Sequence, residues 1–292
     1  MCESHPAGDP GRRTPRRVNR PLTTPDQTAI GTLKGNTPVK NLKYNKLDVS
    51  IAASNEELGA TAAAAFAAAA RSALETKDEI AVILATGNSQ LSFARAVRER
   101  DDIDWSRISI LHMDEYLGMS EDHPASFRLW MQENLVQHVH PKAFYGVNGD
   151  HVPVEEEIER YSALVRDLDP AICVMGIGEN GHLAFNDPPA DFDTHEMMRL
   201  LDLDDACRNQ QVGEGHFASL AETPKQAFSL TVHALLRPQV VFVLTPETRK
   251  AAAVKAALEG PVTSMCPGSI LQTQPQAHLY LDQDSASLLE LA

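Results

Sequence analysis

The chain has 292 residues, 43% of them hydrophobic and 23% charged, with a formal net charge of −14. That balance argues against nucleic acid or an anionic membrane surface as the main partner, and no apolar run approaches the roughly 20 residues of a membrane-spanning helix. Cys2, Cys173, Cys207 and Cys266 are scattered without a CxxC pair, and the 11 histidines include no HExxH, so free thiols in a reducing cytoplasm are expected and no metal is.

Residues 1–46 differ from the rest. They hold nine Lys or Arg against three Asp or Glu, and GRRTPRRVNRPLTTP lacks apolar periodicity, so a disordered basic leader is expected there. It has no apolar stretch of the kind a secretory signal carries. A single domain is expected over residues 47–292. Ser54 and Glu57 form a capping box that opens an alanine-rich helix running to about residue 74. EIAVILAT reads as a buried strand, TGNS leads into a helix ending near Arg98, and ISILHM reads as a second strand. Helical spacing follows over residues 127–136 and 154–168. AICVMGIG, QAFSLTV and VVFVLT read as three more strands. A helix over residues 246–258, a last strand AHLYLD and a closing helix SASLLEL complete the chain. Strands alternating with helices predict an α/β fold: one three-layer domain, a mostly parallel sheet with helices on both faces.

In such sheets ligands bind beyond the carboxyl ends of the strands, so the loops there carry the chemistry. GIGENG, ending at Gly181, fits the glycine spacing of a dinucleotide-binding loop, but that loop must open a helix onto the pyrophosphate. Here Phe185-Asn186-Asp187-Pro188-Pro189 follows, and two prolines forbid a continuing helix. The glycines are instead expected to turn the backbone and present His182. Thr86, Gly87, Asn88 and Ser89, between a buried strand and a helix, form a candidate anion cradle in which the amides of Asn88, Ser89 and Gln90 point outward; an ordinary N-cap turn is the competing reading. Arg249 and Lys250 lie where a helix starts, so their charge opposes its dipole, a conflict that a bound phosphate would relieve. Asp114 and Glu115 follow a buried strand, which makes one of them a candidate general base. His182 makes a second acid–base cluster with Asn180 and Asp187, either of which can orient the imidazole.

Taken together, LATGNS, MDEYLG followed by HPASF, GIGENGHLAFNDPP, and RKAAAVKAALEG with a later CPGSILQ resemble the glucosamine-6-phosphate deaminase family. The likeness runs in order from about residue 50 to 285. The wider group includes the 6-phosphogluconolactonases, which typically carry DER and GHTASLFP where this chain has DEY and GHLAFNDPP; both differences favour the deaminase side. The resemblance implies a Rossmann-like fold and no cofactor. It implies Asp114 as the base moving a proton between C2 and C1 of an open-chain sugar, and Glu115 beside it. It implies His182 as the ring-opening histidine, and Lys250 with the TGNS loop as the phosphate site. The implied substrate is a phosphorylated amino sugar, with no nucleic acid or membrane partner and with homo-oligomerisation left open.

The chain also departs from the family pattern. Asp187 stands where the family has Glu, Asn180 where some members have Asp, and Gln274 where many have His. The family's second phosphate-binding arginine has no counterpart in QQVGEGHF, although Arg208 is nearby in another register. A galactosamine-6-phosphate deaminase, a lactonase-type hydrolase and a catalytically silent sugar-phosphate-binding regulator stay open as alternatives.

Overall fold

A computed structural model describes residues 39–290. The strands are β1 (Lys40–Tyr44), β2 (Leu47–Ala52), β3 (Ile80–Leu84), β4 (Ile108–His112), β5 (Asp114–Tyr116), β6 (Ala143–Tyr145), β7 (Ile172–Met175), β8 (Met198–Asp202), β9 (Gln226–Leu230), β10 (Val240–Thr245) and β11 (Ala277–Asp282). The helices between them are α1 (Asn55–Leu74), α2 (Leu91–Arg98), α3 (Phe127–Met131), α4 (Gln137–Val139), α5 (Val154–Leu168), α6 (Asp205–Gly213), α7 (Val232–Leu236) and α8 (Ala251–Glu259). A π-helical turn, Gln132–Val136, joins α3 to α4.

An eight-stranded sheet of order β1-β2-β11-β10-β7-β3-β4-β6 forms the middle layer. Every pairing in it is parallel except β1 with β2. Its central strands are apolar along their whole length because both faces are covered. Side chains alternate between two cores, as the period of two requires. Ala81, Ile83, Cys173, Met175, Val241 and Val243 face one core, with α5 and α8. Ile80, Val82, Leu84, Ile172, Val174, Phe242 and Leu244 face the other, with α1 and α2. The expected α/β architecture is the observed one. Ser54 caps α1 by accepting from the Glu57 amide, and Glu57 Oε2 accepts from the Ala53 amide, one residue earlier than a strict capping box.

Several elements differ from expectation. Residues 40–46, read as the end of the leader, form β1 and a turn; Leu42 and Tyr44 pack on the core, and the Lys46 amide donates to the Gln272 carbonyl. The rest of the expected leader, residues 1–38, lies outside the described residues. QAFSLTV becomes β9, but in a separate antiparallel sheet, β5-β9-β8. Residues 285–290 of the expected closing helix form a turn, in which Ser285 and Asp282 bond each other. A chain starting at residue 47 should melt several degrees below one starting at residue 39, since losing β1 bares an edge of β2 and the apolar surface under Leu42 and Tyr44. Equal melting in calorimetry would mean that β1 adds nothing.

Candidate active site

The carboxyl ends of β3, β4, β7 and β10 meet over one pocket. Its lining includes Thr86, Gly87, Ser89 and Gln90 after β3, Met113 and Asp114 after β4, Gly176 and Gly178 after β7, and Lys250 after β10. The cavity measures about 90 Å³. These strands adjoin one another in the order β10-β7-β3-β4, so loops far apart in sequence converge on one spot.

Asp114 lines this pocket and is 7% exposed. Burial first, and then the neighbouring Glu115, push its carboxyl well above the ordinary carboxylate range. Both residues belong to β5, paired with β9, and not to the loop expected after β4. Adjacent residues in a strand point to opposite sides, so the pair splits. Glu115 is fully buried outside the pocket lining. Its carboxylate accepts from the Ser126 hydroxyl at 2.8 Å and from the amides of Tyr116, Phe127 and Arg128 at 3.1, 3.3 and 3.1 Å. It therefore anchors the start of α3, and the expected catalytic placement of Glu115 is corrected to a structural one.

His182 is 8% exposed at the pocket wall. Its Nδ1 lies 3.1 Å from Asp187 Oδ1, so the shorter acid reaches the ring despite the missing methylene. Burial would raise the Asp187 carboxyl, but bonds from His182, from Asn180 Nδ2 at 2.9 Å and from the Asp204 amide at 3.1 Å hold it below its usual value. An ionised Asp187 accepts a hydrogen bond from Nδ1–H, which leaves Nε2 as the nitrogen that can exchange a proton. Asn180 does not touch the ring. Its Oδ1 accepts from the His182 amide at 3.0 Å, and its amide group braces Asp187. It is thus a positioning residue and not a partner of the imidazole. The glycine at position 178 has a steric reason, because a Cβ there would lie 2.1 Å from His182 Nε2. The described residues between β7 and β8 form no helix, so GIGENG is not a dinucleotide loop.

Of the TGNS loop, Thr86, Gly87 and Ser89 line the pocket wall, whereas Asn88 does not. The TGNS loop turns through a short 3₁₀ segment, Asn88–Gln90, before α2. The Gln90 amide is already used by the Gly87 carbonyl at 3.0 Å, so fewer free amides face outward than expected. Lys250 ends the 3₁₀ turn Thr248–Lys250 ahead of α8 and is 3% exposed. Burial lowers its pKa, and Glu214 partly offsets this. Arg208 lies outside the pocket lining and donates to the carbonyls of Leu220 and Thr223, fastening the segment after α6. Gln274 also lies away from the pocket, bonded to Thr273 and Gln276.

Phe127, Phe185, Gln210, Gln211, Glu214 and His216 also line the pocket, although no sequence motif marks them for it. The last four come from α6 and the loop after it, a stretch whose polar composition carries no motif. Among the described residues, His182, Asp187 and Cys207 are the one group with metal-ligand chemistry, their donor atoms lying within 4.8 Å of one another. His182 and Asp187 already bond each other, and burial raises the Cys207 thiol.

The description "Glucosamine-6-phosphate isomerases/6-phosphogluconolactonase" fits a model matching residues 53–280. A glucosamine-6-phosphate deaminase of Exiguobacterium sibiricum is 35% identical over 206 residues, covering 70% of this chain and 80% of that protein. The chain belongs to this family. Another glucosamine-6-phosphate deaminase, from Streptococcus pneumoniae, is 34% identical over 71% of this chain and 86% of its own length. Among solved structures, a monomeric glucosamine-6-phosphate deaminase superposes with a TM-score of 0.75 at 27% identity, over 82% of this chain and 99% of its own. The 6-phosphogluconolactonase of Thermotoga maritima shares the fold, with a TM-score of 0.66 at 17% identity over 80% of this chain and 98% of its own. Both of these curated relatives are named glucosamine-6-phosphate deaminases.

Proposed function

We propose that the protein converts glucosamine 6-phosphate and water into fructose 6-phosphate and ammonia, through ring opening, aldose–ketose isomerisation and deamination. The observation that carries this reading is the pairing, across one small pocket, of a buried carboxylate of raised pKa, Asp114, with a buried cation, Lys250. A phosphate held by Lys250 and the Thr86–Ser89 loop anchors one end of the sugar and leaves C1 and C2 near the other groups. His182, oriented by Asp187, exchanges a proton with the ring oxygen and opens the ring. Asp114 then takes the C2 proton and returns it to C1, while a proton passes from the C2 ammonium to O1, giving a protonated imine at C2. Water adds to that imine, and ammonia leaves. An acidic chain with Cys173, Cys207 and Cys266 as free thiols supports work in the reducing cytoplasm. No helix of the described residues is long and apolar enough to cross a membrane.

The test is ammonia release from a panel of glucosamine 6-phosphate, galactosamine 6-phosphate and unphosphorylated glucosamine, with hydrolysis of 6-phosphogluconolactone measured in parallel. Lactone hydrolysis without ammonia from any amino sugar would replace this reading with the hydrolase.

Lys250→Ala should raise KM for the sugar phosphate by about 10- to 100-fold, because a charge-assisted contact worth ~1.5–3 kcal/mol is lost. The same variant should lose most of the melting shift given by inorganic phosphate. A KM and a phosphate shift that both stay at the wild-type value would move the anion site elsewhere.

A further inference from the structure

Glu214, the residue that caps the end of α6, points a carboxylate into the anion end of the pocket. Its Oε1 lies 2.8 Å from Arg249, 2.8 Å from the Gln210 side-chain amide and 3.9 Å from Lys250 Nζ. Its Oε2 is 3.4 Å from His216 Nε2. The Glu214 side chain is only 7% exposed. Burial works against its charge, yet these donors hold its pKa down at about 2, so the carboxylate is ionised at any working pH.

A phosphate arriving here meets a nest that is already full. Arg249 also pairs with Glu179 at 3.3 Å and Glu247 at 2.6 Å, so two cations face three carboxylates before any ligand enters. A dianion placed beside Lys250 with Glu214 still seated would add like charge at contact distance in a poorly solvated site. Of the three carboxylates, only Glu214 lines the pocket. The remaining space, about 90 Å³, is also small against the ~300 Å³ or more usual for a pocket that takes a small ligand. Glu214 has room to leave. Gly215 follows it at φ +83°, and neither Gly213 nor Gly215 has an atom within 4 Å of where a Cβ would sit. His216 Nε2, now 3.4 Å from Glu214 Oε2, becomes a donor available to a phosphate oxygen once Glu214 moves.

We propose that Glu214 is a built-in occupant of the phosphate subsite, seated on Lys250 and Arg249 in the free protein and exchanged for the substrate's phosphate on binding. This rests on the assignment of Lys250 to the phosphate site. It makes Glu214 a specificity-determining residue: a ligand without a phosphate has nothing to exchange for the carboxylate and meets a pocket that is still closed.

The test is titration calorimetry of inorganic phosphate against the full chain. Glu214→Gln, which keeps the shape and removes the charge, should bind phosphate about tenfold more tightly or better, and Glu214→Ala, which removes the bond to Gln210 as well, should do the same. Adding Lys250→Ala to either variant should abolish the gain. In the wild type, saturating phosphate should change hydrogen-exchange protection over residues 213–216, a readout that needs no variant to fold. Unchanged or weaker phosphate binding in both folded variants overturns the proposal, as does protection that phosphate leaves unaltered. Ammonia release is scored separately. Tighter phosphate binding in Glu214→Gln, with no ammonia from any amino sugar phosphate in the wild type, supports the exchange and removes the deaminase reading alone.

Discussion

Asp114→Asn should lower the rate of ammonia release about 10²–10⁴-fold while leaving phosphate-anchored binding nearly intact. The amide keeps the shape of the side chain and removes the lone pair that must take the C2 proton, so the loss should fall on kcat and not on KM. The raised pKa of Asp114 adds a pH signature. Turnover needs the ionised base, so the acid limb of the rate profile should lie above the ordinary carboxylate range and vanish from the residual activity of the variant. Stability should move the other way. The folded protein holds the Asp114 proton more tightly than the unfolded chain does. Stability is therefore lost as pH rises from the ordinary carboxylate pKa towards the raised one, and the cost persists at neutral pH. Asp114→Asn removes that cost and should melt higher than the wild type at pH 7. A variant with near-normal turnover would take the C2 base away from this residue, and one that melts lower would mean that the carboxylate is not strained by its burial.

His182→Gln is expected to cost about 10²–10⁴ in kcat, with the affinity for inorganic phosphate unchanged, since Lys250 and not the ring supplies the charge that holds the anion. Asp187 remains ionised and braced by Asn180 in the variant, so the loop should keep its place. Near-ultraviolet circular dichroism and melting should then resemble the wild type. A preserved kcat would assign ring opening to another group. A collapse of phosphate affinity would instead show that the ring supports the loop and not the chemistry.

The two residues illustrate what could be read in advance. The five strands β3, β4, β7, β10 and β11 were legible because each is short and nearly continuous in apolar residues, a pattern produced by burial under helices on both faces. Asp114, His182 and Lys250 were legible because they lie in the segments that leave such strands, and parallel topology sends every strand's carboxyl end to the same edge. β1 was hidden because its edge position leaves much of it exposed and its apolar face is only two residues long, Leu42 and Tyr44. α6 was hidden by its polar composition and by helical ends set through a side-chain cap, Asp204 on the Cys207 amide, and not by an apolar stripe.

Other features only the tertiary structure decided. Asp114 and Glu115 are chemically alike and adjacent, and strand geometry sends them to opposite sides. It was the pairing of β5 with β9 that turned Asp114 to the pocket and committed Glu115 to the amides of α3. The role of Asn180 went to Asp187 and the backbone of His182 because the tight turn at Gly178 and Gly181 brings those atoms, and not the ring, within its reach. Glu214 carried no signal in QQVGEGHF, since a glutamate between two glycines reads as an exposed loop residue. It matters because α6, the connection between β8 and β9 of the small sheet, ends with an acid against a lysine 36 positions further on. The sequence alone determined which chemical groups the strand ends could offer. The fold determined which of them meet, because contacts between distant segments depend on the packing of the layers and not on spacing along the chain.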